Sequence, residues 1–302
     1  MPVESTRSIG KNGALLAAGA LVINAFVWGV SWWPFRELQG HGLHPLWATA
    51  LVYVTVLAVL LLVYSGSLRD FADHPQLWGL ALAAGLTNVG FNWAVTVGDV
   101  VRVVLLFYLM PAWSVLVAWL MLGEKPSAAS LLRLVLAMAG VLIVLKTPDS
   151  PWPVPQSGAD WLALMGGFSF AVTNALLRKL NQASSGSRML AMFGGGAVLA
   201  TAVALAGLSQ QMLPAPALQA AGIPVALGLS LAFMVSNAAL QYGAARLVAS
   251  TTALVMLTEI LFASLSAAAL GAAEFTPRIL LGGSLIVVAA VLAAMAAMAP
   301  EK

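Results

Sequence analysis

No cysteine occurs in this chain, which excludes disulfides and thiolate metal sites and, in a chain this apolar, says little about compartment. Charge is nearly as scarce. Lys, Arg, Asp and Glu together supply 8% of the 302 residues, and a net charge of +3 is too small and too scattered to suggest nucleic-acid binding. No G-x-x-x-x-G-K-[ST] run is present, so nothing in the sequence could cradle ATP for a primary pump. His-Glu-x-x-His is absent as well, the three histidines (His41, His44 and His74) fall between apolar runs, and the aspartates sit at run ends. An intramembrane enzyme has no constellation to work with, and neither a metal nor a cofactor is expected. What remains is apolar: 61% of the residues are hydrophobic, with a mean hydropathy of +0.94.

A hydrocarbon core about 30 Å thick is crossed by roughly 20 apolar residues in a helix. Ten such runs fall near 13–35, 45–64, 76–97, 103–122, 128–146, 160–179, 189–207, 222–243, 249–271 and 277–298. The expected fold is therefore an all-α membrane protein of ten transmembrane helices. The first run follows Arg7 and Lys11 as a secretory signal would, but it extends too far and ends in Trp32, Trp33 and Pro34 rather than in a cleavage site. The longest polar interruption, from Lys146 to Ala159, carries four prolines and reads as an extended linker. It divides the chain into a tail at 1–12, a first block at 13–146, the linker at 147–159 and a second block at 160–299. With the N-terminus cytoplasmic, ten basic residues (Arg7, Lys11, Arg69, Lys125, Arg133, Arg178, Lys179, Arg188, Arg246 and Lys302) fall inside, and four (Arg36, Arg102, Lys146 and Arg278) outside. That bias predicts a plasma (bacterial inner) membrane protein with both termini in the cytoplasm.

The two blocks repeat. Residues 88–111 laid on 237–260 place Asn88 on Asn237, Asn92 on Gln241, Trp93 on Tyr242 and Pro111 on Ile260. Leu122-Gly123-Glu124 likewise meets Leu270-Gly271 and Glu274, and the first run laid on the sixth puts Trp28 on Phe170, Ser31 on Thr173, Trp32 on Asn174 and Arg36 on Arg178. Five helices per block is an odd number, so the blocks enter the membrane from opposite sides. Such inverted repeats let one fold exist in two near-equivalent states, open to either face, with a solute site near the midplane.

The segment Leu106-Phe107-Tyr108-Leu109-Met110-Pro111-Ala112-Trp113, followed by Trp119-Leu120-Met121-Leu122-Gly123-Glu124-Lys125, resembles the end-of-repeat signature of EamA-type members of the drug/metabolite transporter superfamily, and Trp28-Gly29 also fits. The chain looks similar to bacterial ten-helix amino acid and metabolite exporters, such as the aromatic amino acid exporters. The resemblance implies export or exchange of small metabolites through a cavity lined by helices one, three, four, six, eight and nine. Glu259-Ile260 departs from it, since many relatives carry a proline there, and the ninth helix is expected to be stiffer than the fourth.

Polar residues in a membrane face the bundle interior or a wet cavity. Asn88 and Asn92, like Asn237 and Gln241, lie four apart and project from one helical face; the alternative to cavity lining is helix-to-helix glue. Glu259 is the one acidic residue deep in a run, placed to hold a solute ammonium group or to carry a proton; otherwise it is a protonated carboxyl bonded to a backbone carbonyl or to Thr258. Aromatic rings at Trp28, Trp32, Trp93, Tyr108, Trp113, Phe170 and Tyr242 suit an apolar or cationic solute, although Trp and Tyr also serve as interfacial anchors. With Asn174 these complete the expected solute-binding set. Arg102 is placed to meet a carboxylate at the outer mouth. The expected partners are a small-molecule substrate, the lipid bilayer and, as a candidate, protons, with the protein a monomer or weak dimer. A proton-coupled organic amine efflux carrier is the alternative, and a channel-like or structural membrane protein represents a different class.

Overall fold

A chain in hydrocarbon must satisfy its backbone within each crossing segment, and here it does so as helix throughout. The computed structural model describes residues 11–146, 152, 154–272, 274 and 276–298. Most of the expected tail at 1–12, half of the linker at 147–159, and Arg7 and Lys302 lie outside them. The helices are α1 (Lys11–Val30), α2 (Trp32–Gly40), α3 (Pro45–Tyr64), α4 (Asp70–Asp73), α5 (Gln76–Val97), α6 (Val100–Phe107), α7 (Met110–Leu122), α8 (Ala128–Leu145), α9 (Gly158–Lys179), α10 (Ser185–Ser209), α11 (Ile223–Ala244), α12 (Ala249–Met256), α13 (Glu259–Ala269) and α14 (Pro277–Met298). Among the described residues no strand occurs, and nine helical segments are long and apolar enough to cross a membrane. α5 is not among the nine. It is long enough at 22 residues, but Gln76, Asn88 and Asn92 dilute its apolar character.

Serine and aspartate set the helix starts. Ser127, Ser184 and Asp99 each accept the N–H three residues on, at the heads of α8, α10 and α6. Ser157 forms a capping box with Asp160, whose carboxylate also accepts the Gln156 N–H at 2.8 Å and meets Arg102 Nη1 at 3.4 Å. Arg102 is thus engaged by a residue of the protein itself. Asp160→Ala should lower stability by about 1–3 kcal/mol, because it strands these donors; an unchanged thermal midpoint in detergent would count against that account. At the other helix end, α7 and α13 are followed by Gly123 and Gly271, both left-handed at φ 71° and 68°, a conformation that glycine adopts without strain.

The ninth expected helix is interrupted like the fourth, although it lacks the proline, and here the structure removes the ground for expecting it to be stiffer. Both are broken at the same place, between α6 and α7 at Tyr108-Leu109 and between α12 and α13 at Leu257-Thr258. Pro111 accounts for the first break, since it lacks an N–H. At the second, the Thr258 hydroxyl donates to the Val255 carbonyl at 2.8 Å, and tight i to i−3 bonds run from Thr258 to Val255 and from Ile260 to Leu257. The first turn of α13 then lies directly on α1, where a Cβ at Gly29 would come within 2.6 Å of the Glu259 carbonyl oxygen. The first run is interrupted too: the Ser31 hydroxyl bonds the Trp28 carbonyl at 2.7 Å, and the helix resumes as α2 to Gly40.

Long helices carry the two ends of the bundle. α9 runs unbroken for 22 residues, about 33 Å, from Asp160 beside Arg102 to Arg178 beside Glu124. The Ala249 N–H donates to Glu124, so α12 starts at the Glu124 end and α13 finishes at the other, where Trp32 Nε1 donates to Ser266 Oγ at 2.9 Å. Glu124 and Glu274 therefore stand at opposite ends. Between them, α5 packs against α9 and α10, α10 against α3, and α1 against α11, while α8 and α14 pack on each other. Asn24 clamps α1 to α11 by donating to both the carbonyl and the hydroxyl of Ser236.

Candidate solute cavity

Midway along the bundle, α1, α3, α5, α6, α7, α9, α10, α11, α12 and α13 all contribute to one cavity. It leaves about 80 Å³ for the centres of water-sized molecules, which is room for several waters. Both helix breaks open into it, for Phe107 and Met110 flank the first, and Met256 and Glu259 the second. Relative to the expected helices, α3 and α10 are additions, brought by Tyr53 and Met192.

Amides from α5 and α11 line the cavity together: Asn88, Asn92 and Asn237. Each leading amide is held by the preceding long helix of its own block, α3 for Asn88 and α10 for Asn237. The Tyr53 hydroxyl donates to Asn88 Oδ1 at 2.7 Å, and Asn237 Nδ2 approaches the Met192 sulfur at 3.5 Å. Asn92 donates to Thr49 Oγ1 at 3.1 Å. Gln241 is buried one turn behind Asn237 and donates to its Oδ1 at 2.7 Å. These bonds hold the amides in place, and each amide is a group that both donates and accepts.

Glu259 is the first residue of α13 and the one acidic group on the cavity wall; no Lys, Arg or His stands beside it among the lining residues. The Tyr108 hydroxyl, from the opposite break, donates to Glu259 Oε1 at 3.1 Å. That bond joins the two broken helices across 151 residues of sequence. Aromatic rings complete the wall. Trp28 stacks on Phe233 with centroids 4.5 Å apart, and Phe107 lies between Phe91 and Phe170 at 4.7 and 6.5 Å.

Residues 13–146 match the model of the EamA-like transporter family. That match covers less than half of the chain, and it is a likeness of this block to EamA-like transporters. "Protein RarD" of Streptomyces exfoliatus is 28% identical over 167 residues, which span 51% of this chain and 49% of that relative. The match thus covers about half the length of the curated relative. One solved crystal structure superposes on 95% of this chain and 99% of its own with a TM-score of 0.73, and at 18% identity it speaks for the fold alone.

The block at 13–146 supplies Trp28, Asn88 and Asn92 to the cavity, and the second block supplies Phe170, Asn237 and Glu259. Other residues singled out from sequence stand elsewhere. Trp32 is bonded to Ser266, and Trp93 packs among Leu46, Ala50, Val89 and Ala204. Trp113 meets the edge of Phe168 at 5.8 Å. Tyr242 is 37% exposed, with the Arg246 guanidinium 3.7 Å over its ring. Asn174 is buried beyond the cavity at the Glu124 end. Sequence reasoning passed over Tyr53, Thr87, Met110, Thr173, Met192 and Met256, all of which line the wall. Tyr53 gave a legible signal, being a phenol inside an aliphatic run; the methionines gave none.

Proposed function

We propose that this protein is a secondary transporter that exports or exchanges amino acids, aromatic or other neutral ones included, and related small metabolites by alternating access. Its ten spans, counting α5, form two inverted five-helix blocks that share one cavity, and the protein has no enzymatic role. The observation that carries this reading is the cavity itself: both blocks contribute amides to it, and both helix breaks open into it. Amides donate and accept without fixing a charge, which suits a neutral or zwitterionic solute. The match of residues 13–146 to a transporter family supports the class.

A second reading rests on Glu259. Facing the cavity without a basic neighbour, it favours a solute ammonium group, and so organic amine efflux driven by protons. Purified protein in liposomes separates the possibilities. A carrier gives saturable uptake that is accelerated by solute preloaded inside, and an ohmic current without counterflow would overturn the proposal in favour of a channel.

Ligand-induced thermal shifts then sort the solutes, because a ligand stabilises the state that it binds, by about 2.7 kcal/mol at a hundredfold excess over Kd. Neutral amino acids should shift the midpoint under the first reading and aliphatic or aromatic amines under the second. Asn92→Ala is expected to weaken that shift more than it lowers the unliganded midpoint. The reverse order would make Asn92 a helix–helix contact.

A further inference from the structure

Beneath the cavity, toward Glu124, lies a layer of polar side chains that the protein leaves without partners. Met110, Phe170 and Met256 line the cavity from α7, α9 and α12. Four residues closer to the Glu124 end on each helix come Ser114, Asn174 and Thr252, which share the faces of the lining residues above them. They are 0%, 1% and 0% exposed. Neither hydroxyl and neither amide atom meets a hydrogen-bonding partner. A permanent seal would be built from aliphatic side chains, since a buried polar group without a partner is costly. That cost is relieved if the three helices part and the layer is wetted.

One ion pair closes the helices over this layer. Glu124, just past α7, meets Arg178 Nε of α9 at 2.5 Å and takes the first N–H of α12 at 3.4 Å, so all three elements are tied at one point. Both side chains are 22% exposed, and the bond can exchange with water. At the other end, the repeat-matched residues Arg36 and Glu274 are both exposed, and no ion pair joins them among the described residues. There, among the described residues, α6 has no contact with α13 as extensive as that of α12 with α7.

We infer that Ser114, Asn174 and Thr252 are a second solute-contacting layer, the shut half of the passage, bolted by Glu124–Arg178 and opened when that pair separates. Two hydroxyls and one amide fit the same neutral or zwitterionic class of solute. The inference rests on the two-state carrier reading.

The absence of native cysteine makes single thiols a clean probe. S114C and T252C are each made in the otherwise native chain and in E124Q and R178Q backgrounds, reconstituted, and exposed to a membrane-impermeant thiol reagent on both faces. Reaction is expected to be slow in the native background and about tenfold faster once either half of the pair is removed. L132C on α8, 70% exposed on the apolar surface, should stay unreactive in every background. Unchanged reactivity of both layer thiols in both backgrounds overturns the inference. So does equal acceleration at L132C, which would mean general loosening. Counterflow by the native chain is scored in the same vesicles. Its absence sinks the carrier reading, whereas counterflow with layer thiols that stay protected sinks this inference alone.

Discussion

Glu259→Gln is expected to reduce counterflow at least about tenfold, equivalent to ~1.4 kcal/mol, and to remove its dependence on pH. Glutamine keeps the size of the side chain and can still accept from the Tyr108 hydroxyl, which bonds Oε1 at 3.1 Å. It can neither hold a negative charge nor carry a proton. Under amine efflux, protons and solute compete for one carboxylate, so raising the pH on the face to which the cavity opens should strengthen solute binding in the native protein and leave the variant unchanged. Initial rates across a pH series in liposomes provide the measurement. A variant with the native rate and pH profile would remove Glu259 from the mechanism, and with it the ground for the amine reading. Tyr108→Phe is the useful companion, because it leaves the carboxyl and takes away the phenol that donates to it.

Gly29→Ala should be the most damaging single-methyl change along α1. The added carbon would lie 2.6 Å from the Glu259 carbonyl oxygen and 2.7 Å from Phe262 Cβ, and the first of these is backbone that no rotamer change relieves. Overpacking of this kind costs about 1–3 kcal/mol. The displaced segment is the first turn of α13, so transport is expected to fall along with stability. Gly19→Ala supplies the control on the same helix. Nothing lies within 4 Å of its added carbon, and alanine there should be neutral or stabilising by about 0.5–1 kcal/mol. Thermal midpoints and counterflow rates for the two variants test the contrast. Equal effects would mean that the α1–α13 contact is more yielding than its geometry indicates.

Positions of the long helices were legible because each crossing segment must be apolar over its full length, a demand that composition alone meets. The Leu-Gly pairs that close α7 and α13 were legible for a similarly local reason, since a bare Cα acts within a few residues, whereas the capping serines were not read from the sequence. The break between α12 and α13 was not. Its causes are a threonine hydroxyl turned onto its own helix and a glycine on a distant one, and neither marks the sequence as proline does. The same limit applies to the site. Spacing predicted that Asn88 and Asn92 share a face, and both line the cavity with Asn237. Spacing could not foresee that Tyr108 would reach Glu259, or that Trp32 would find Ser266, because those pairs are set by how the halves pack. Aromatic residues were the least readable class, for a ring in a membrane helix packs equally well against lipid, another helix or a solute.

The paired breaks have an electrostatic corollary. Each ends one short helix and begins another at the cavity wall, at Phe107 and Met110 in one case and at Met256 and Glu259 in the other. Aligned peptide dipoles give a helix start about half a positive charge and a helix end about half a negative one. Backbone alone thus presents both polarities to the same small space. A molecule that bears an amine at one end and a carboxylate at the other can be oriented there without any basic side chain.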